Sequence, residues 1–197
     1  MPARMIGLDF TDAYMKFIDY NGLDDDIADI SSRITAANLN EYTHELSQLE
    51  EKIRSGLLPQ AIIDEVSAAL QNLGLVDKAI AVRSSASAED SAAASFAGIH
   101  ESFLNVRGLE DILAAIKGCY ASLWSPQAVA YRRKMKLDDN EVLPAVVLLE
   151  MVAAQAAGVG FTCDPQTGRR DLLVINANFG LGESVVNGAV EPDTSGY

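Results

Sequence analysis

The spacing of the apolar residues changes near residue 77, and this change constrains the fold more than any other feature of the sequence. Before it, apolar residues recur every three or four positions, as in Leu46, Leu49 and Ile53, which is the period of a buried helix face. After it, short apolar runs rich in valine predict buried strands with further helices between them. We therefore expect an α+β (mixed α/β) fold, in which a helical layer packs on a mostly antiparallel sheet.

The helical layer is predicted to comprise residues 1–75. Thr11 stands where a helix cap is expected and Pro59 where a first helical residue is expected, and Gly22 and Gly74 can end helices. Each predicted helix has one apolar stripe, so it must pack against another layer. Nothing in this part of the sequence has a pattern typical of catalysis.

The sheet is predicted from the residues that follow. A helix from about Leu109 to Trp124 follows the first two strands, and Ser125-Pro126 resembles the cap and first position of another helix. Near the end of the chain, Asp164-Pro165 and Gly168 predict a turn, and therefore a hairpin. The predicted strands lie within 78–85, 101–108, 143–152, 157–163 and 171–179.

The charge and the cysteines exclude several classes of function. The chain has 28 acidic and 15 basic residues in 197, a net charge of −13, which opposes binding to phosphate backbones and anionic lipid. We expect no nucleic-acid partner and no membrane association. We expect a cytoplasmic protein, because Cys119 and Cys163 lie far apart without CxxC spacing and the amino terminus has no signal-peptide pattern. One short basic run is interpreted as a solvated helix end: Arg132, Arg133, Lys134 and Lys136.

The segment 81–98, AVRSSASAEDSAAASFAG, is the most unusual part of the sequence. A predicted buried strand leads directly into Arg83, Ser84 and Ser85, which together could bind a polyphosphate through a guanidinium, hydroxyls and backbone N–H groups. Its high content of Ala and Ser, taken alone, favours a flexible loop or an Ala-rich helix, and the position directly after a buried strand is what supports phosphate binding. Arg83 could also have a purely structural partner in Glu89 or Asp90.

The remaining candidates are weaker. Gly180 and Gly182 resemble the start of a dinucleotide-binding motif, but Val185 replaces its third glycine, so a turn leading into a short helix near Glu183 is favoured. His44 is predicted to be solvated, and no suitable ligand spacing surrounds His100. We expect the two cysteines to be small apolar core residues and no metal site within the chain.

Several blocks of the sequence resemble one family. They are VRSSASAEDSAAASFAG, HESFLNVRG, CYASLWSPQAVAYRR, MVAAQAAGVGFTCDPQTG and FGLGESVVNGAVEPD, in that order across residues 82–193. They resemble the nucleotide-binding domain shared by phosphoenolpyruvate synthase and pyruvate phosphate dikinase, and GLDFTDAYMKFIDYNGL resembles an earlier segment of it. The resemblance implies an ATP-grasp fold, with ATP held between two subdomains. We expect residues 1–150 to form the first subdomain, with a helical layer (1–75) and a sheet with a phosphate loop (76–150), and 151–197 to begin the second, truncated one.

The resemblance also implies a binding site and a reaction. Arg83 would contact the ATP phosphates as the catalytic arginine, together with Ser84 and Ser85, and Gly98 and Ser102 would line the same phosphate site. The hinge near the adenine would comprise Leu149, where the family usually has Gln, followed by Glu150 and Met151. In the synthase, a phosphoryl group passes from ATP to a histidine on a separate domain and then to pyruvate, with Mg²⁺ assisting. The metal ligands are expected outside this chain.

Three functions remain open on the sequence. The first is the ATP-binding portion of a phosphoenolpyruvate-synthase-like enzyme; because the family's lysine segment and phosphohistidine domain have no counterpart here, we expect a piece that is inactive alone. The second is the same ATP-binding domain in an enzyme that transfers the phosphoryl group to a different acceptor, as in antibiotic phosphotransferases and glucan dikinases. The third is a degenerate, non-catalytic module that has kept the fold.

Overall fold

The structure is a computed structural model, and it describes residues 5–7, 10–86, 101–139, 142–164, 167–186 and 193–196. The chain divides into two compact units, unit 1 (residues 1–151) and unit 2 (residues 152–197). Unit 1 contains β1 (Met5–Gly7), α1 (Phe10–Tyr20), α2 (Asp24–Arg33), a 3₁₀ helix (Leu39–Tyr42), α3 (Thr43–Ser55), α4 (Gln60–Asn72), β2 (Ile80–Ala86), β3 (Ser102–Val106), α5 (Leu109–Ser122), α6 (Pro126–Met135) and β4 (Pro144–Glu150). Unit 2 contains β5 (Ala156–Phe161), β6 (Val174–Phe179), α7 (Glu183–Val186) and β7 (Asp193–Gly196).

The helical layer of unit 1 forms because each helix has one apolar face. Phe17 of α1, Leu46 and Ile53 of α3, and Val66 of α4 are fully buried in a common core. Helices α1 and α5 pack on the sheet, and α3 packs on α5. A helical layer is present, as predicted, but it does not comprise all of residues 1–75, because Met5–Gly7 forms strand β1 of the sheet. Thr11 is not the first cap, because α1 begins one residue earlier at Phe10.

The sheet of unit 1 has the strand order β1-β4-β2-β3, and every neighbouring pair is antiparallel. One face of its central strands is apolar and buried, with Ile80 and Val82 on β2 and Val146 and Leu148 on β4. Side chains alternate between the two faces of a strand, so the intervening residues lie on the other face. The predicted α+β class with an antiparallel sheet is confirmed.

Unit 2 contains an antiparallel sheet with the order β5-β6-β7. Strands β5 and β6 pair from Ala156 opposite Phe179 to Phe161 opposite Val174, which confirms the predicted hairpin. In its turn, Gly168 has a φ of +73°, a conformation that residues with a Cβ rarely adopt, and its N–H donates to the carbonyl of Asp164. The predicted short helix begins at Glu183 as expected.

The interpretation of the basic run as a solvated helix end is wrong for its first two residues, Arg132 and Arg133. Only 1% of the Arg132 side chain and 15% of the Arg133 side chain are exposed, whereas Lys134 and Lys136 are exposed as expected. Both guanidinium groups pair with the carboxylate of Asp139, which is only 5% exposed. The helix does begin as predicted, because the Ser125 hydroxyl accepts a hydrogen bond from the Ala128 N–H and Pro126 follows at the first turn.

Asp139 connects α6 to α2 through a buried network. Its oxygens accept hydrogen bonds from Arg132 Nε at 2.6 Å, from Arg133 Nη1 and Nη2 at 3.0 and 2.6 Å, and from the hydroxyl of Ser31 on α2. Arg132 also donates to the carbonyl of Leu123, and its guanidinium lies 5.1 Å from the centre of the Trp124 ring. The burial of these charges is therefore compensated by hydrogen bonds between charged groups.

Candidate functional site

Arg83 lies on β2, a central strand of the unit 1 sheet. It pairs with Val147 on one side and with Ser102 on the other. Its side chain is exposed, and no hydrogen bond or ion pair joins it to another residue within the described ranges. The two structural partners considered from the sequence, Glu89 and Asp90, lie outside those ranges. The guanidinium is thus positioned by a strand with neighbours on both sides.

Residues opposite each other on antiparallel strands point to the same side of a sheet, so Arg83, Ser102 and Val147 form a row across three strands. Leu149 pairs with Ala81, two residues before Arg83, and therefore lies on the same side. We call these residues, Arg83, Ser102, Val147 and Leu149, the Arg83 face. The face combines a cation and an exposed hydroxyl with half-buried aliphatic side chains. Such a surface can bind a ligand that is anionic at one end and flat and apolar at the other.

The other predicted site residues lie elsewhere. Ser84 follows Arg83, so it points to the opposite side of β2, where its hydroxyl donates to the Glu101 carbonyl at 3.4 Å. Glu150 likewise alternates with Leu149, and its carboxylate lies 3.8 Å from the ammonium of Lys78. The Met151 N–H donates to the carbonyl of Ala79 at 2.9 Å.

The structure does not describe two of the predicted site residues in full. Ser85 belongs to β2, where it pairs with Ala145, but its side chain is not described. Gly98 lies outside the described residues altogether. The structure therefore brings together Arg83, Ser102 and Leu149, while Ser84 and Glu150 alternate to the other side.

One group beside the Arg83 face is absent from the sequence-based prediction. Glu101 immediately precedes Ser102, and its carboxylate accepts a hydrogen bond from Arg54 Nη2 of α3 at 2.8 Å. Its carbonyl also accepts from the thiol of Cys119 on α5, at 3.8 Å. No local pattern signals this cluster, because Arg54 precedes Glu101 by 47 residues and Cys119 follows it by 18.

The two cysteines and the histidine that the structure describes lie outside the Arg83 face. Cys119 is fully buried, and burial raises the pKa of its thiol to about 12, with a further increase from the charge of Glu101. Cys163 is half-buried and, like Cys119, forms no disulfide. His44 is exposed on α3, as expected, and His100 lies outside the described residues.

Two further findings concern metals and membranes. In the described part of the chain, no group of three or more His, Cys, Asp or Glu side chains is placed to hold a metal ion. No described helix is both long and apolar enough to cross a bilayer.

The family described as "Pyruvate phosphate dikinase, AMP/ATP-binding domain" matches residues 10–196 of the sequence. The chain belongs to this family. The predicted resemblance is therefore confirmed, and the unit 1 and unit 2 folds are those of an AMP/ATP-binding domain of pyruvate phosphate dikinase type.

Individual relatives agree with this assignment. The chain is 40% identical over 185 residues to a probable phosphoenolpyruvate synthase of Methanothermobacter thermautotrophicus, covering 92% of this chain and 27% of that protein. It is 41% identical over 187 residues to the phosphoenolpyruvate synthase of Aquifex aeolicus, covering 92% and 22%. It is 45% identical over 146 residues to the rifampicin phosphotransferase of Bacillus cereus, covering 74% and 17%. The chain thus spans about a quarter or less of the length of these relatives.

Proposed function

We propose that this chain is the ATP-binding portion of a phosphoenolpyruvate-synthase-like enzyme and that it binds ATP on the Arg83 face. The row of Arg83 and Ser102 across neighbouring strands carries the proposal. In an acidic chain, Arg83 is an exposed cation with no partner among the described residues, and it lies beside a hydroxyl donor. This combination suits a polyphosphate, which needs charge neutralisation and directed hydrogen bonds.

The aliphatic part of the same face suits the nucleoside. Val147 and Leu149 are half-buried, and their side chains lie on the same side of the sheet as the side chain of Arg83. A purine ring packed there would place its phosphates toward Arg83 and Ser102. We propose that residues 1–150 are one ATP-grasp subdomain, that 151–197 begin a second, and that Leu149, Glu150 and Met151 form the hinge. The Met151 N–H already donates to the carbonyl of Ala79, so this N–H is not offered to a ligand.

The chemistry proposed for Arg83 is electrostatic. Phosphoryl transfer requires that the reacting phosphate be held in line and that its developing negative charge be stabilised. Arg83 would bind the phosphate oxygens and Ser102 would donate to them, so the two residues orient the group that leaves ATP. We propose that Ser85 and Gly98 complete the phosphate site, whereas the Ser84 side chain points to the opposite side of β2 and is left out of it.

The acceptor and the metal belong to the whole protein. We propose that the phosphoryl group passes to a histidine on another domain and then to pyruvate, with the reaction taking place in the cytoplasm. Mg²⁺ would accompany the ATP phosphates and neutralise their charge. The described residues offer no ligand cluster for it, so no step is assigned to a protein-bound metal.

A second candidate changes only the acceptor. The match to a rifampicin phosphotransferase covers 74% of the chain at an identity as high as that of the synthases. The same ATP site could therefore serve an antibiotic phosphotransferase. Product analysis distinguishes the two in a full-length protein that carries this sequence: pyruvate-dependent formation of AMP supports the synthase, and rifampicin-dependent formation supports the phosphotransferase.

The ATP site itself can be tested on the 197-residue chain. We would titrate Mg-ATP into ¹⁵N-labelled protein and follow amide shifts by NMR, which detects weak binding. Arg83→Ala should weaken binding about tenfold or more, because a hydrogen bond between charged groups is lost. Arg33→Ala is the matched control, since Arg33 is also a partly exposed arginine but pairs with Asp29 and Glu45 on the helical side. Equal affinity of the wild type and Arg83→Ala would remove Arg83 from the site.

A further inference from the structure

Glu101 is held from three directions at the residue where the chain enters β3. Its carboxylate accepts from Arg54 of α3 at 2.8 Å, and its carbonyl accepts from Ser84 of β2 at 3.4 Å and from Cys119 of α5 at 3.8 Å. The next residue is Ser102, which pairs with Arg83. The position of Ser102 along β3 therefore depends on how Glu101 is held.

Arg54 reaches Glu101 past a glycine on α5. A Cβ on Gly118 would lie 3.1 Å from Arg54 Nη1 and 2.4 Å from Cζ of Phe103. Gly118 therefore leaves the space in which the Arg54 guanidinium and the Phe103 ring pack. Phe103 directly follows Ser102 and pairs with Val82, so the same packing fixes both neighbours of Ser102.

Arg54 also balances negative charge around Glu101, the residue that precedes Ser102. Burial raises the pKa of Glu50, and the charge of Glu101 raises it further, while the charge of Arg54 lowers it. Two carboxylates thus share the surroundings of one guanidinium. Without Arg54, the carboxylate of Glu101 would lose its guanidinium partner, and the segment that leads into Ser102 would be free to move.

We propose that Arg54 is a positioning residue of the nucleotide site, which acts through Glu101 to hold Ser102 in line with Arg83. The proposal rests on the proposed function, because it assigns Arg54 a role in binding the same ligand. Arg54 does not touch ATP in this scheme. Its contribution is to keep the start of β3 in the one arrangement in which hydroxyl and guanidinium face the same phosphate group.

A double-mutant cycle tests this with Mg-ATP as the probe. Arg54→Ala should weaken Mg-ATP binding by about fivefold in the wild-type background, a size typical of coupled neighbours, and should have no further effect in Ser102→Ala. Arg54→Lys should restore part of the affinity. Arg33→Ala is the control, because the Arg33 side chain is 39% exposed and that of Arg54 is 34% exposed. An equal effect of Arg54→Ala in both backgrounds, or none in either, overturns the proposal.

Hydrogen exchange gives a second measurement that needs no ligand. Peptides covering residues 102–106 should exchange faster in Arg54→Ala than in the wild type and in Arg33→Ala. If the wild-type chain does not bind Mg-ATP, the proposed ATP site on the Arg83 face fails, and unchanged exchange of these peptides would then overturn the positioning role as well. If Mg-ATP binds but the cycle shows no coupling, only the role of Arg54 is lost.

Discussion

Replacing Asp139 by alanine removes the carboxylate that compensates two buried arginines. In the wild type this carboxylate accepts from Arg132, from Arg133 and from Ser31 of α2. Arg132 cannot turn to solvent, since only 1% of its side chain is exposed, and its Nη2 already has no hydrogen-bond partner among the described residues. The substitution therefore leaves a buried charge with fewer partners.

The expected loss follows from the burial of the pair. Breaking a buried ion pair by removing one partner costs about 3–5 kcal/mol, because the other charge remains desolvated. Arg132 keeps its hydrogen bond to the carbonyl of Leu123 and its contact with the Trp124 ring, so we expect the lower end, about 3 kcal/mol. For a protein of this size, such a loss lowers Tm by roughly 6–12 °C.

The fluorescence of Trp124 can be used to measure this loss of stability. This residue is the single tryptophan of the chain, it is buried, and it lies against the affected guanidinium, so its fluorescence reports on unit 1. Urea titrations at pH 7 would compare the wild type with Asp139→Ala. The control is Asp29→Ala, which breaks the exposed pair between Asp29 and Arg33 and should cost less than about 1 kcal/mol.

The stabilisation by Asp139 should also depend on pH in a definite direction. Burial alone would raise the pKa of Asp139, but the hydrogen bond from Arg133 and the charge of Arg132 outweigh it and lower the pKa from 3.8 to about 2. The stabilisation is therefore fully present above about pH 4 and is lost as the pH falls toward 2. The stability difference between wild type and Asp139→Ala should narrow over that interval. A loss at pH 7 no larger than that of Asp29→Ala would refute the argument.

The other predictions concern packing, a turn and a thiol. Gly118→Ala should destabilise unit 1 by about 1–3 kcal/mol in the same urea titration, since its Cβ would lie 2.4 Å from Phe103; an unchanged midpoint would show that the ring can move aside. Gly168→Ala should destabilise the hairpin by about 1 kcal/mol because of the positive φ, seen as faster amide exchange in β5 and β6; exchange at the wild-type rate would contradict this. Cys119 should resist iodoacetamide at pH 8 in the native state, because its thiol is buried and has a pKa raised to about 12, while Cys163 is modified; rapid modification of both would show that unit 1 opens readily.

The parts of the fold that the sequence predicts are those fixed by neighbouring residues. The start of α6 follows from Ser125 and Pro126, and the β5–β6 turn follows from Asp164 and Gly168, because each uses contacts within a few positions. The solvated interpretation of Arg132 failed because one link of its network, Ser31, lies 108 residues from Asp139 in the sequence. A run of basic residues has the same local appearance whether or not a distant element covers it.

The site shows the same limit. The strand that leads into Arg83 was apparent from its apolar residues, and alternation along one strand places Ser84 opposite Arg83. The register between strands places Ser102 and Leu149 on the same side as Arg83. This register pairs residues as far apart in the sequence as Ala81 and Leu149, through hydrogen bonds that have no sequence signature. Arg54 and Glu101 were missed for this reason.

The central position of β2 has a consequence for the entropy of ligand binding. Its backbone is hydrogen-bonded to β3 on one side and to β4 on the other, so Arg83 is attached to a segment that is already ordered before any ligand arrives. Ordering a flexible backbone costs about 1–2 kcal/mol per residue, whereas here only the rotamers of one long side chain remain to be fixed, at about 2 kcal/mol. An anionic ligand bound by Arg83 would therefore lose little binding free energy to ordering the backbone at this residue, and more would remain as affinity.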